Sequence, residues 1–372
     1  MKIVKIKRAI AYFLSPALLK KRIHDDIRKA HEYADLLKTL ERRALSEFSA
    51  CNPAINAQKI NYDDIPRIRL TRQNIGKTVS DPPRIVFVLL QYNHFEVTRD
   101  AIESISRLDN GIIHEIVIVD NFSTDGARSR LQEFADKKEN IHVVLADKNH
   151  GFAKGNNLGY DFAKRKLNPD FIVIANNDVV YPQHDFTKKI PEIYRSTLFS
   201  ILGPDIRVQR EKLMHQNPMK TKLLTKEAAS LFLQKRTSML QNIDSASLSL
   251  PSVLGRRKFK KRTMTGPIVL HGSIVILSPI FIHDMDFVFD DRTFFYGEED
   301  LLATLAYSKG HRMVYDPRIH VLHNENSSTD TSNLLEYYKK SYSYHIDFIK
   351  IYIEFLTQLE QLDKNTQKGI TS

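Results

Sequence analysis

Cysteine is almost absent from this sequence, since Cys51 is the only one among 372 residues. A single cysteine excludes an internal disulfide framework and a cysteine-rich zinc site, and it agrees with a reducing compartment. Long apolar runs are also missing, because no stretch reaches the roughly 18 residues that a membrane-spanning helix needs. The first 22 residues join a basic start to a short apolar run, but Pro16 interrupts that run and no small-residue cleavage site follows. A secretory signal is therefore not expected.

Positive charge is in excess and unevenly distributed. The formal net charge is +11, yet residues 1–80 hold 17 Lys+Arg against 8 Asp+Glu, and residues 206–262 hold 14 against 3. Two basic segments beside an acidic remainder favour an anionic partner, either a membrane surface or nucleic acid, unless both are simply solvated faces. No helix-turn-helix, zinc or RNA-recognition motif accompanies the basic run at 256–262, so nucleic acid is not expected. Basic and aliphatic residues interleave over 2–10, which is typical of an interfacial membrane anchor.

The sequence divides into three expected parts. Residues 1–83 form a basic N-terminal extension, with a helical stripe over 17–50 followed by a proline-containing linker. Residues 84–330 form the main domain, interrupted by a basic insertion at 206–262. A helix is expected over 226–240 within the insertion, and strand character resumes over 268–277. Residues 331–372 contain a long aromatic-rich helix, which has three possible partners: its own domain, a second copy of the chain, or a membrane.

Strand and helix patterns alternate through the first half of the main domain. The predicted strands are 85–90, 115–119, 141–145 and 171–175, and the predicted helices are 96–107, 125–137 and 153–166. Such alternation indicates right-handed βαβ units and an α/β fold with a mostly parallel, Rossmann-like sheet flanked by helices. Active sites of open α/β sheets lie at the carboxyl ends of the strands.

Polar residues stand at the ends of the first two strands. Tyr92 and Asn93 follow the first strand, where side chains often touch a nucleotide base or ribose, although Asn93 also suits an ordinary helix entry. Asp120 ends the second strand and offers a carboxylate to a base imide or a ribose hydroxyl. Asp125 is better explained as a helix cap.

A glycine-spaced segment, NHGFAKGNNLGY, follows the third strand. Its glycines at 151, 155 and 159 match neither the G-x-G-x-x-G fingerprint nor a P-loop. Their spacing permits close approach, either to a neighbouring element or to a ligand, and Lys154 offers charge to a phosphate.

Acidic and histidine residues mark two further positions. Asp178, after Asn176 and Asn177 at the end of the fourth strand, suits a divalent metal that grips a diphosphate, with His323 as a second ligand. Glu298 and Glu299 follow an aromatic segment, FFYG, and an apolar neighbourhood raises a carboxyl pKa toward the range of a general base. The same acids also suit the first turn of a helix.

Together these segments resemble glycosyltransferase family 2, whose enzymes have the GT-A fold. The resemblance spans about residues 84–325 and is closest to rhamnosyltransferase-like enzymes of bacterial surface polysaccharide synthesis. It rests on VDNFSTDG, NHGFAKGNNLGY, ANNDV in the place of the D-x-D motif, the stretch from HGS to GEED, and YDPRIHVLH.

The resemblance implies roles for individual residues. Glu299 stands at the position of the general base, beside Glu298, and Asp178 with His323 would hold the metal, Mn²⁺ or Mg²⁺. The donor nucleotide would contact residues at the tips of the strands and on the glycine-spaced helix: Tyr92, Asn93, Asp120, Asn156, Asn157 and Asn177. The expected activity is inverting transfer of a sugar, rhamnose among the candidates, from a UDP- or dTDP-sugar to a glycan or lipid-linked acceptor. The expected location is cytoplasmic, with peripheral contact to the inner membrane face.

Three positions depart from the family pattern. Asn176 replaces the first acid of the metal motif, and Leu301 and Leu305 replace an aspartate and an arginine beyond the acid pair. These departures leave a second interpretation open, a non-catalytic relative that binds a nucleotide or a glycan.

Overall fold

The polar segments singled out above are gathered at one edge of a ten-stranded mixed sheet. The structure is a computed structural model, and it describes residues 79–108, 111–209, 213–241, 243, 262–325 and 334–370. The predicted helix at 17–50, the membrane anchor at 2–10 and the basic run up to residue 261 lie outside the described residues.

The first half of the sheet is built as the sequence predicts. Strands β1 (Arg84–Gln91), β2 (Ile113–Asp120), β3 (Ile141–Leu145) and β4 (Phe171–Asn176) alternate with helices α1 (Phe95–Ser106), α2 (Ala127–Ala135) and α3 (Gly151–Phe162), and a π-helical turn, Ala163–Leu167, extends α3. β1 lies between β2 and β4 and pairs with both in parallel, and β2 pairs in parallel with β3. The carboxyl ends of these strands therefore share one edge.

The second half of the sheet is mixed. After β5 (Val179–Val180) and α4 (Phe186–Thr197) come β6 (Ile201–Gln209), β7 (Leu213–His215), α5 (Lys226–Gln241), β8 (Met264–Thr265), β9 (Ile274–Leu277), α6 (Pro279–Asp284), α7 (Glu298–Ser308), β10 (Met313–His323) and α8 (Leu334–Ile370). The order along the sheet is β3-β2-β1-β4-β9-β6-β10-β5. β9 runs antiparallel between β4 and β6, whereas β6 and β10 are parallel. The end of β10 consequently returns to the edge where β1, β2 and β4 end.

The sheet is buried on both faces, as a sheet flanked by helices requires. On β1, Ile85, Phe87 and Leu89 face one apolar cluster with side chains of α1, α2 and α4. Val86 and Val88 face a second cluster with side chains of α3, α6 and α7. The predicted α/β class is confirmed. The sheet, however, is mixed rather than mostly parallel, because β9 pairs antiparallel with both β4 and β6, and β5, β7 and β8 also pair antiparallel with their neighbours. A mixed sheet flanked by helices agrees with the GT-A fold that the resemblance implies.

The predicted insertion begins inside the core. Strand β6 continues to Gln209, past residue 206, and Ile206 and Val208 are buried. Helix α5 lies where a helix is predicted over 226–240. The strand predicted over 268–277 is shorter in the structure, where β9 covers only Ile274–Leu277.

The long C-terminal helix packs on its own domain. Phe348, Ile349 and Tyr352 of α8 form an apolar cluster with Ala229 of α5 and Leu301 of α7. The Tyr352 hydroxyl lies 2.7 Å from Thr304 Oγ1 and donates to the Leu224 carbonyl over 2.8 Å. Within the described part of the chain, no helix has both the length and the apolar content of a membrane span.

The glycine spacing of α3 serves close packing. A Cβ added at Gly159 would lie 2.4 Å from Val88 Cγ1 and 2.8 Å from Val119 Cγ2, and one at Gly155 would lie 2.6 Å from Leu90 Cδ1. These distances are shorter than van der Waals contact, so only glycine lets the helix lie this close to β1 and β2. The packing alternative for Gly155 and Gly159 is therefore the one that the structure supports.

Replacing Gly159 by alanine is expected to destabilise the fold. Overpacking of this kind costs about 1–3 kcal/mol, which exceeds the gain of at most about 1 kcal/mol from better helix propensity. Urea unfolding followed by circular dichroism measures the difference. In a Val88→Ala background the same change should cost less, because the clashing methyl group is gone. Lys154→Ala, on the exposed side of α3, is the control, and equal stability of Gly159→Ala and the parent would contradict the packing argument.

Candidate active site

A cavity of about 320 Å³ opens at the carboxyl edge of the sheet. Its walls come from the ends of β1, β2 and β4, from the start of α3, from the aromatic segment before α7 and from α8. The lining includes Tyr92, Asn121, Asn177, Asp178, Tyr296 and Lys340. A concave site of this size at this edge is where an α/β fold binds its ligand.

Asp178 and His323 are brought together by backbone pairing. In the antiparallel ladder of β5 and β10, His323 is opposite Val179, and the Asn324 amide donates to the Asp178 carbonyl over 3.0 Å. This register places His323 Nε2 3.2 Å from Asp178 Oδ1, and both side chains are buried. The predicted pairing of two residues far apart in sequence is thus present in the structure.

The pair fits a divalent cation. Ligands at about 2.1 Å in neighbouring positions of an octahedral ion lie about 3.0 Å apart, which is close to the separation seen here. Within the described residues, no group of three or more His, Cys, Asp or Glu side chains could hold a metal. One carboxylate and one imidazole would therefore leave the other positions to water and phosphate oxygens, as Mg²⁺ commonly requires. Asn176 lines the cavity nearby, and its backbone amide donates to the Ser273 carbonyl over 2.9 Å.

Asp120 is engaged within the protein. Its Oδ1 accepts a hydrogen bond from Gln91 Nε2 over 3.0 Å, and its Oδ2 accepts from Arg128 Nε over 2.8 Å and from the Ser123 amide over 3.2 Å. The side chain is fully buried. The neighbouring Asn121, rather than Asp120, lines the cavity. A nucleotide contact by Asp120 stays a prediction.

The loops after β1 and β2 are tied to each other. The Asn93 amide donates to Ser123 Oγ and Asn93 Oδ1 accepts from the Thr124 amide, each over 2.8 Å. Asp125 accepts from the His94 and Ala127 amides over 2.8 and 3.0 Å, so its role is structural, as predicted. The N-cap residue of α2 is nevertheless Gly126 rather than Asp125. Tyr92 lines the cavity from the same loop.

The predicted asparagines fall in different places. Asn177 lines the cavity and donates to Thr98 Oγ1 over 3.0 Å. Asn157 Oδ1 accepts from the amides of Val288 and Phe289, and its Nδ2 donates to the Phe289 carbonyl, so its amide fastens that loop. Asn156 is buried, and its Oδ1 has no hydrogen-bond partner among the described residues. Donor contacts by Asn156 and Asn157 stay predictions.

Glu298 and Glu299 form the first turn of α7. Burial, with the neighbouring Glu299 carboxyl, raises the pKa of Glu298 to about 8. Glu298 Oε1 is buried without a hydrogen-bond partner among the described residues. Burial also raises the pKa of Glu299, and Asp300 adds to this, while the Gly272 amide and Lys220 act against it. The pair therefore retains a proton at neutral pH.

Glu299 is the better placed of the two to accept a proton. It is half-buried, whereas Glu298 is almost completely enclosed. Glu299 Oε1 accepts a hydrogen bond from the Gly272 amide over 3.2 Å, which favours its charged form. The residue after Gly272 is Ser273, whose carbonyl holds the cavity residue Asn176.

Two features of this region lay beyond the sequence analysis. Lys220 Nζ lies 2.7 Å from both oxygens of buried Asp300, next to Glu299. The cavity wall supplied by α8 consists of Tyr337, Lys340, Ser341 and Tyr344. The wall residues of α8 are three and four positions apart, a spacing that places them on one helical face and could have predicted the wall. A single lysine in a predicted insertion gives no comparable sequence signal.

The departures at Leu301 and Leu305 are packing positions. Leu301 is buried against α8, and Leu305 packs beside the cluster beneath α3 and α7. Neither offers a polar group to an acceptor.

Comparison with known proteins finds similarity to a family of glycosyltransferases. Residues 87–259, just under half of the chain, match the family model of glycosyl transferase family 2. The match ends before Glu298, Glu299 and His323. The part of the chain that the model matches is thus similar to glycosyl transferase family 2.

Two curated relatives are glycosyltransferases by description. The low-salt glycan biosynthesis hexosyltransferase Agl10 of Haloferax volcanii is 27% identical over 132 residues, which are 36% of this chain and 39% of that protein. TuaG of Bacillus subtilis, described as a teichuronic acid biosynthesis glycosyltransferase, is 29% identical over 129 residues, 34% of this chain and 49% of that protein. The chain thus spans less than half the length of either relative.

Solved structures give weaker likenesses. TarS of S. aureus in complex with UDP-GlcNAc has a TM-score of 0.44 at 13% identity, covering 67% of this chain and 61% of that one. The mannosyltransferase PcManGT of Pyrobaculum calidifontis, in complex with GDP-Man and Mn²⁺, has a TM-score of 0.43 at 13% identity, covering 91% and 87%. The fold assignment rests on the sheet itself rather than on these scores.

The raised pKa of Glu298 predicts a pH-dependent stability. Between its ordinary pKa of 4.5 and about 8, the folded state binds more protons than the unfolded state, so this group lowers stability as pH rises. Glu298→Gln removes the effect. The unfolding free energy of Glu298→Gln, relative to that of the parent, should therefore rise by on the order of a few kcal/mol between pH 5 and pH 8. Glu139→Gln, at an exposed site, is the control, and parallel pH profiles for Glu298→Gln and the parent would contradict the assignment.

Proposed function

We propose that this chain is an inverting glycosyltransferase that moves a sugar from a nucleotide-diphosphate sugar to an acceptor hydroxyl in surface polysaccharide biosynthesis. The observation that most supports this proposal is the cavity at the sheet edge. It is lined by Asp178 of the Asp178–His323 pair and by Tyr296, two residues before Glu298. The family match and the two glycosyltransferase relatives support the reaction class. Rhamnosyl transfer is the form that the closest resemblance favours.

In the proposed reaction Glu299 is the general base. One of its carboxylate oxygens takes the proton of the acceptor hydroxyl, while the hydroxyl oxygen bonds to the anomeric carbon. The bond from that carbon to the diphosphate breaks on the opposite face, and its electron pair leaves with the diphosphate. Glu298, protonated at neutral pH, keeps the charge of the pair at one and maintains a basic Glu299.

Asp178 and His323 would hold the divalent cation. When bound, such a cation supplies Lewis-acid stabilisation to the leaving diphosphate. The structural neighbour PcManGT was solved with Mn²⁺, which makes Mn²⁺ the first metal to try. The donor classes to compare are UDP- and dTDP-sugars.

The remaining parts of the proposal concern location. The basic excess of residues 1–80 and 206–262 supports peripheral contact with the anionic inner face of the cell membrane, where a lipid-linked glycan acceptor is reached. Each lysine or arginine near such a surface contributes on the order of 1 kcal/mol.

Glu299→Gln is expected to abolish transfer and leave donor binding intact. The amide cannot take the hydroxyl proton, so turnover should fall by about 10²–10⁴-fold. Radiolabelled sugar transfer measures turnover, and thermal shift with UDP or dTDP and Mn²⁺ measures binding. Glu139→Gln is the matched control. Retained turnover in Glu299→Gln would mean that another residue is the general base. A parent chain that binds nucleotide but transfers no sugar would favour the non-catalytic alternative.

Lys340→Met is expected to weaken binding of the diphosphate. Lys340 is the one lysine or arginine among the cavity-lining residues that the structure describes. A charge-assisted contact contributes about 1.5–3 kcal/mol, so affinity for UDP should fall about tenfold or more, while affinity for uridine should not change. Isothermal titration with both ligands tests this. Lys350→Met, an exposed site on the same helix, is the control, and equal loss for UDP and uridine would contradict a diphosphate contact.

A further inference from the structure

The imidazole of His323 is held on its other side by Gln216. His323 Nδ1 lies 2.8 Å from Gln216 Oε1, and Gln216 Nε2 donates to Glu325 Oε1 over 2.5 Å. Gln216 is 5% exposed and His323 7% exposed. Gln216 directly follows β7, and its backbone amide donates to the Ile206 carbonyl over 3.0 Å. This glutamine lies in the segment that the sequence predicts to be an insertion.

The hydrogen-bond directions can be assigned from chemistry. A carboxylate oxygen only accepts, so the NH₂ end of the Gln216 amide faces Glu325 and the carbonyl end faces His323. A carbonyl oxygen also only accepts, so the proton of a neutral His323 ring lies on Nδ1. The Nε2 atom then has a free lone pair, and it faces Asp178 Oδ1 at 3.2 Å.

Two acceptor atoms facing each other at this distance repel unless a positive charge lies between or beside them. The arrangement is therefore suited to a metal cation at Asp178 and His323, and Gln216 sets the ring nitrogen that faces it. Glu325 has a left-handed backbone, with φ of 46°, which is uncommon for glutamate. This conformation accompanies the side-chain contact that fixes the Gln216 amide.

We infer that Gln216 is a positioning residue for the metal site, in which it holds the proton on His323 Nδ1 and so presents Nε2 to a divalent cation shared with Asp178. The inference rests on the proposed function only through the metal-binding role of Asp178 and His323. Hydrogen-bond partners of metal-binding histidines typically change metal affinity by about 10–100-fold when they are replaced.

The first test is Mn²⁺ affinity of the full chain, measured by electron paramagnetic resonance of free Mn²⁺ in the presence of UDP. Gln216→Met, which keeps the side-chain length and removes the carbonyl, should weaken Mn²⁺ binding by about 10–100-fold. Gln183→Met is the matched control, because Gln183 also binds β10, at the Arg318 carbonyl and the His320 amide. Thermal unfolding establishes that each variant is folded.

A second readout does not depend on metal. Nitrogen-15 NMR of the metal-free chain distinguishes the two neutral histidine tautomers, with His323→Gln used to assign the signal. The parent should show the proton on Nδ1, and Gln216→Met should show a mixture. If Gln216→Met does not fold, Glu325→Gln serves instead, since an amide at 325 no longer dictates which end of Gln216 faces the ring.

The outcomes separate the two proposals. Strong Mn²⁺ binding by the parent with unchanged affinity in folded Gln216→Met would overturn the inference alone. A proton on Nε2 in the parent would overturn it as well. No Mn²⁺ binding by the parent, with or without UDP, would overturn the metal role of Asp178 and His323, and the positioning role of Gln216 with it.

Discussion

The Phe294 carbonyl accepts the amide proton of Phe152 over 3.0 Å, and this bond joins the two halves of the site. Phe152 belongs to the first turn of α3, beside the ends of β1 and β2, whereas Phe294 begins the segment that leads to the acid pair. The contact is possible only because Gly151 has no side chain, since a Cβ there would lie 2.4 Å from the Phe294 carbonyl oxygen. Without this approach, the start of α3 and the aromatic segment before the acid pair would not line one cavity.

A second constraint is the direction of the strands. β4 and β10 end at the same edge because β9 reverses direction between β4 and β6. β4 and β10 thus run in the same direction, although the strand β9 between β4 and β6 is antiparallel to both of its neighbours. The register of β5 and β10 then places His323 beside Asp178, and the loop after β7 places Gln216 behind the ring. The metal proposal depends on this succession of backbone contacts more than on any single ligand.

Much of the first half of the fold could be predicted, because buried parallel strands have continuous apolar sequences. The pairing of Asp178 with His323 could also be predicted, from the family resemblance. Other features could not, because they depend on tertiary contacts that leave no periodic signal. Arg128 reaches Asp120 across a loop, β6 extends past residue 206, and Gln216 is one polar residue in a basic segment. The sequence predicts the aromatic-rich helix α8, but the spacing of its aromatic residues does not determine which surface the helix packs against.

Gly297, which precedes the acid pair, has a positive φ of 85°, and a Cβ there would lie 2.1 Å from the Phe348 ring of α8. In evolutionary terms, positions 297 and 348 are therefore not independent. A lineage that acquires a side chain at 297 must first lose the aromatic ring at 348, and with it part of the apolar cluster that holds α8 to α5 and α7. Drift in the C-terminal helix is consequently restrained by the backbone geometry of a turn more than fifty residues earlier.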